Sequence, residues 1–185
     1  MSQRLEKTHL QQIIVYIRQY HGWWMQPSLF PEEGPAPPPI FSIGHSTRKL
    51  EELIWVLKHF NIETLVDIRH FPASRHNPQF NKPLLEQELA NHGLHYVWLE
   101  QLGGFRTGGY LAYMERPEFA AGIRDLEDFA RHRRTAFMCA EIKWFQCHRR
   151  HVSDALAAKG WGVTHIFTEK RADPHVRKTN RIKCD

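Results

Sequence analysis

Between Ile40 and Phe167 the chain alternates two kinds of apolar pattern. Short runs at Ile40-Phe41-Ser42-Ile43, Ile62–Ile68, Leu94–Leu99, Thr135–Cys139 and Val163–Phe167 are largely β-branched or aromatic, and they read as buried strands. Between them the spacing changes to three and four. Leu50, Leu53, Ile54 and Leu57 stripe a helix over Lys49–Phe60, and Phe119, Ile123, Leu126 and Phe129 stripe another over Pro117–His132. A further helix spans Pro83–Asn91, with proline near its first turn and Gly93 after its end. Val152, Ala155, Leu156 and Ala158 mark a fourth, stopped by Gly160. Five strands separated by four helices predict an α/β fold: a three-layer, mainly parallel five-stranded sheet with helices on both faces, Rossmann-like in architecture.

The ends read differently. Leu10, Ile13, Ile14, Ile17 and Tyr20 predict an accessory helix over Thr8–Tyr20, followed by Trp23-Trp24 and a proline-rich linker to Pro39. The tandem tryptophans suit docking on the chain's own surface, and self-association through this helix stays open as a route to a homo-oligomer. Residues 169–185 carry Lys170, Arg171, Arg177, Lys178, Arg181 and Lys183 with little apolar content, and are expected to be a mobile basic tail. The organisation is therefore 1–39 helix and linker, 40–168 α/β domain, 169–185 tail.

Composition narrows the partners. The formal net charge is +5 before 13 histidines contribute, so polyanionic partners such as nucleic acid, or an anionic small substrate, are favoured. No run approaches the ~20 apolar residues of a membrane span. Three cysteines without a framework spacing indicate a reducing compartment, with the cytoplasm as the expected location.

Chemistry concentrates where predicted strands end. After Thr135–Cys139 come Glu141, Cys147, His148 and Arg149, just ahead of a helix whose exposed N–H groups and dipole favour an anion. After the first strand, Gly44-His45-Ser46-Thr47 offers His45 as a ligand or base, Ser46 as a hydroxyl that can bind a substrate phosphate, and Ser46 or Thr47 as a cap for the following helix. At the end of the second strand, Asp67 and Arg69 share a face, so Asp67 is either a base or the group that locks Arg69. The loop His70–Phe80 brings Arg75 and two phenylalanines, Phe71 and Phe80, that could flank a planar ring. Four glycines among positions 103–109 surround Arg106 and precede Tyr110, a lid candidate whose side chains could touch substrate.

These motifs together, Phe41-Ser42-Ile43-Gly44-His45-Ser46, Leu65-Val66-Asp67-Ile68-Arg69 with Pro72 and Ser74-Arg75, Leu102-Gly103-Gly104, and Met138-Cys139-Ala140-Glu141 with Cys147-His148-Arg149, resemble the domain-of-unknown-function 488 family over about residues 40–168. The resemblance implies an α/β domain with enzyme-like motifs and no settled reaction.

The residues themselves favour a hydrolase acting on a phosphate-bearing nucleotide or nucleic acid. Arg69, Arg75 and Arg149 would clamp the anion, Asp67 or Glu141 would be the general base, and His45 or His148 the acid. A thiol-based transferase using Cys147 is a second route, with Cys139 expected to be inert packing. A non-catalytic nucleic-acid-binding module is a third. Cys139, Glu141, Cys147, His148 and His45 are zinc-compatible residue types, but their spacing matches no familiar zinc pattern, so no metal is assigned and the cofactor is left unknown.

Overall fold

The computed structural model describes residues 36–176; the predicted N-terminal helix, the Trp23-Trp24 pair and the end of the basic tail lie outside the described residues. In chain order the elements are β1 (Ile40–Gly44), α1 (Leu50–His59), β2 (Thr64–Asp67), α2 (Lys82–Asn91), β3 (His95–Trp98), α3 (Tyr110–Tyr113), α4 (Pro117–His132), β4 (Thr135–Cys139), α5 (Arg149–Ala158), β5 (Val163–Thr168) and β6 (Arg171–Pro174). Single 3-10 turns at Pro78–Phe80, Glu100–Leu102 and Trp144–Gln146 punctuate the loops. The strands form one six-stranded sheet in the order β3-β2-β4-β1-β5-β6. The first five are parallel and β6 runs antiparallel to β5. This is a mixed α/β domain, and no helix among the described residues is long and apolar enough to cross a membrane.

The alternation along each strand divides the core in two. On β4, Ala136 and Met138 join a cluster with Leu53 and Leu57 of α1 and Leu85 and Leu89 of α2. Phe137 and Cys139 join the other, with Phe119, Ile123 and Leu126 of α4 and Val152 and Leu156 of α5. A strand covered by apolar neighbours on both sides has no polar face to show, which is why β4 reads as a continuous apolar run.

Two local expectations need correction. The segment assigned to a mobile tail contains β6, which turns back at Glu169-Lys170 and pairs with the edge of β5. Its anchors are largely backbone hydrogen bonds, continued by the His175 N–H to the Val163 carbonyl at 2.8 Å, together with the Arg171 guanidinium 4.6 Å from the Phe167 ring centre. Such bonding leaves no apolar period in the sequence. At α1, neither Ser46 nor Thr47 caps the helix: the N-cap is Lys49, without a side-chain bond. Ser46 is used instead to turn the chain, at a left-handed φ of 50°.

Candidate functional site

Because the central strands are parallel and in register, their carboxyl ends finish together: Gly44 lies beside Cys139, and Asp67 beside Met138. The loop leaving β4 then folds across the end of β1. The His45 N–H bonds the Cys139 carbonyl at 3.0 Å and the Ser46 N–H bonds the Ala140 carbonyl at 2.8 Å. Only glycine fits at 44, since a Cβ there would stand 1.9 Å from the Glu141 carbonyl oxygen. That crossing brings Cys147 and the start of α5 back over Cys139.

The result is a cluster of two sulfurs and one imidazole. Cys147 Sγ lies 3.5 Å and Cys139 Sγ 3.8 Å from His148 Nδ1, and the three atoms are all within 4.8 Å of one another. Both cysteines are free and buried. His148 Nε2 donates to the Ile68 carbonyl at 2.9 Å, which fixes the ring and turns Nδ1 toward the sulfurs. The Nδ1 side is kept open by Gly104, where a Cβ would come within 2.4 Å of that nitrogen.

The two thiols cannot ionise independently. A hydrogen bond from Cys139 holds Cys147 down at about 3, against the cost of its burial and with help from His148 and the Arg149 N–H. The same bond, with burial, pushes the Cys139 thiol up.

Both sulfurs and His148 open into a pocket of about 600 Å³. Glu141, Arg69, Arg150 and His151 supply its charged and polar lining. Phe71, Phe105 and Phe145 line it too, and at 64%, 73% and 49% exposure they form its outer rim. The Tyr110 ring packs against His148 and His151 while its hydroxyl donates to the Leu102 carbonyl at 2.8 Å.

Of the residues singled out from sequence, Glu141, Cys147, His148, Arg69 and Tyr110 meet in this pocket. Asp67 does not open onto it. Its fully buried carboxylate accepts from Arg69 Nε (2.9 and 3.0 Å), from Arg69 Nη2 (2.5 Å) and from the Tyr96 hydroxyl (2.8 Å). With its lone pairs spent, Asp67 is the lock on Arg69 rather than an available base.

His45 is buried between the Phe80 ring, at 4.2 Å, and Arg69 Nη1, at 3.3 Å from its Nε2. Burial first, then the Arg69 charge, lowers it to about 4 in spite of the Ser46 carbonyl, so it is neutral near pH 7 and a poor proton donor.

Arg149 also departs from expectation. At 1% exposure it turns inward, donating to the Glu141 carbonyl, to the Ile142 carbonyl at 3.2 Å and to Ser42 Oγ at 3.4 Å. It shapes the loop that carries Glu141, and does not clamp an anion. Arg106 is likewise occupied, by the Gly103 and Glu100 carbonyls and the Tyr113 ring. Arg75 is exposed and Ser46 half-buried, and neither lines the pocket.

Three participants were assigned no site role from sequence. Cys139, expected to be inert, lines the pocket; the available signal was its place at the carboxyl end of a central strand. Arg150 and His151 sit on the first turn of α5, next to the motif already singled out.

The fold and site thus define an α/β protein with a cysteine- and histidine-lined pocket at its strand ends. Residues 49–156 match the family model described as "Domain of unknown function DUF488", which is more than half of the chain, and the chain belongs to that family. No curated protein and no solved structure matches it.

Proposed function

We propose that this pocket is the active site of a hydrolase acting on a phosphate-bearing, nucleotide-like substrate, free or within a nucleic acid, on a three-layer, Rossmann-like domain in a reducing, cytoplasmic setting. The observation that carries this reading is the composition of one cavity. An exposed carboxylate, Glu141, shares it with the cations Arg69 and Arg150, beneath an exposed aromatic rim.

Each part has a role. Arg150, on the first turn of α5, holds the anion, helped by the positive helix end. Phe71, Phe105 and Phe145 offer π faces to a planar ring, a contact that works for any base. Glu141 takes a proton from water as the water oxygen bonds to phosphorus. The bond to the leaving group breaks, and the proton returns from Glu141 to that group. The pI of about 9.2 supports an anionic substrate.

The test is turnover on a panel of nucleoside phosphates and short single strands, followed by product release. Glu141→Gln is expected to lower kcat about 10²–10⁴-fold with little change in substrate binding. Undiminished turnover in that variant removes Glu141 as the base.

One observation favours a second reading, a thiol-based transferase. Cys147 Sγ stands at the start of α5 beside His148 Nδ1, an arrangement that suits a nucleophile. That route would leave a covalent adduct on Cys147, detectable by intact mass under single-turnover conditions, and would not survive Cys147→Ser.

A further inference from the structure

We infer that Cys139 Sγ, Cys147 Sγ and His148 Nδ1 form a three-ligand zinc site whose fourth position faces the pocket. This deepens the hydrolase reading and rests on it for the chemistry, though the site itself can be tested without any substrate.

Geometry comes first. Zinc bonds thiolate sulfur at about 2.3 Å and imidazole nitrogen at about 2.0–2.1 Å, so the edges of a tetrahedron around it are about 3.5 Å for sulfur to nitrogen and about 3.8 Å for sulfur to sulfur. The sulfur-to-nitrogen separations here are 3.5 and 3.8 Å, and no pair in the trio exceeds 4.8 Å. Three side chains from two separate segments, the end of β4 and the start of α5, therefore already stand close to the spacing of three corners of such a tetrahedron.

The surroundings fit a ligand set as well. A zinc-bound histidine commonly donates its other ring nitrogen to a carbonyl, which fixes the tautomer and aims the ring. His148 Nε2 does this to Ile68. Gly104 leaves the Nδ1 side free of a Cβ that would collide with it.

A divalent cation there would bind both sulfurs as thiolates, with release of their protons.

Two cysteines and a histidine are a donor set that zinc uses in catalytic sites, where the fourth position is left for water or substrate. All three ligands and Glu141 line the same pocket. Zinc there would lower the pKa of a bound water, Glu141 would accept the proton, and the resulting hydroxide oxygen would bond to the phosphorus as the leaving group departs. This assigns Cys139 and Cys147 to the metal and gives the hydrolase its nucleophile.

The experiment uses the full chain without a histidine tag, stripped of metal and reloaded with zinc or, separately, with cobalt(II). About one zinc per chain should be retained after desalting. The cobalt form should show the intense near-ultraviolet sulfur-to-metal charge-transfer band of thiolate ligation, which surface histidines cannot give. Cys139→Ser, Cys147→Ser and His148→Gln should each lose retained zinc, and the two cysteine variants should weaken or lose that band. In wild-type protein, zinc should also slow alkylation of Cys139 and Cys147 at least tenfold, a readout that does not depend on any variant folding.

Zinc retained without a sulfur band, or unaffected by all three substitutions, places the metal elsewhere and overturns the proposal. So does failure to retain zinc together with unprotected alkylation. If metal-free protein still turns over substrate and depends on Glu141, the catalytic role given to the zinc is overturned and the hydrolase stands. If zinc is held by the trio but no phosphate-bearing substrate is turned over, the site stands and the hydrolase falls.

Discussion

The loop after β4 touches two histidine clusters, and only one of them is left incomplete. On one side, His165 Nδ1 accepts from Ser42 Oγ at 2.6 Å, its Nε2 donates to His175 Nδ1 at 3.0 Å, and His175 Nε2 donates to Asp154 Oδ1 at 3.0 Å. Trp144 stacks flat on His165, 4.1 Å between ring centres. Every ring nitrogen has a partner, so the chain of bonds serves to hold Ser42, and through it Arg149, in place. On the other side, His148 Nδ1 is shared by two sulfurs that open into a cavity. Asp67, Arg69 and Tyr96 form a third cluster of the closed kind. Residue types alone do not separate these clusters. What separates them is whether the donors and acceptors are already satisfied among themselves.

The comparison can be broken in several places, beginning with the closed carboxylate. Asp67→Ala leaves the buried Arg69 guanidinium without its counter-ion, and urea unfolding should show a loss of about 3–5 kcal/mol. A loss under about 1 kcal/mol would mean that Asp67 is not the lock described above.

Next is Gly104→Ala. Its Cβ would fall 2.4 Å from His148 Nδ1, so the ring must move, at an expected stability cost of up to about 3 kcal/mol. Turnover should fall with it, and an unaltered enzyme would show that the ring has room to spare.

The closed histidine cluster should register in pH. His165 is lowered from its ordinary 6.5 to about 3, chiefly by burial, then by the charges of His175 and Arg149. Between those values the unfolded chain binds the extra proton, so stability is full above about pH 6.5 and declines as pH falls. The loss at pH 5 relative to pH 8 should be about 2 kcal/mol from this group. His165→Gln, which leaves His175 and Asp154 facing a neutral amide, should flatten the slope. An equal slope would place the titrating group elsewhere.

The smallest effect on stability belongs to the rim. Phe71→Ala and Phe105→Ala remove exposed rings and should change unfolding by no more than about 0.5 kcal/mol. Each should nevertheless weaken binding of a nucleobase-bearing ligand by about 1–3 kcal/mol, read by titration calorimetry. Equal weakening for inorganic phosphate would show that the rings do not contact a base.

Much of the fold was legible because its elements are strongly patterned. The stripes Leu50-Leu53-Ile54-Leu57 and Phe119-Ile123-Leu126 mark α1 and α4, and the apolar run Thr135–Cys139 is β4. The miss was β6, which holds on by backbone pairing to an edge and carries no period of its own. In the candidate site, Glu141, Cys147 and His148 were legible because they cluster along the chain near a helix start. The inward turn of Arg149 was not, because it depends on Ser42 and on the carbonyls of residues 141 and 142, which lie near it only after folding.

The sequence by itself determined which residues could do chemistry and that they gather at strand ends, since periodicity and motif spacing are local properties of a chain. Only the tertiary structure decided which of them remain free to act. Register places Cys139 against Cys147 and His148, and burial encloses Asp67 with Arg69. Whether a polar group is open or already satisfied depends on neighbours far away in the chain, and no local pattern records them.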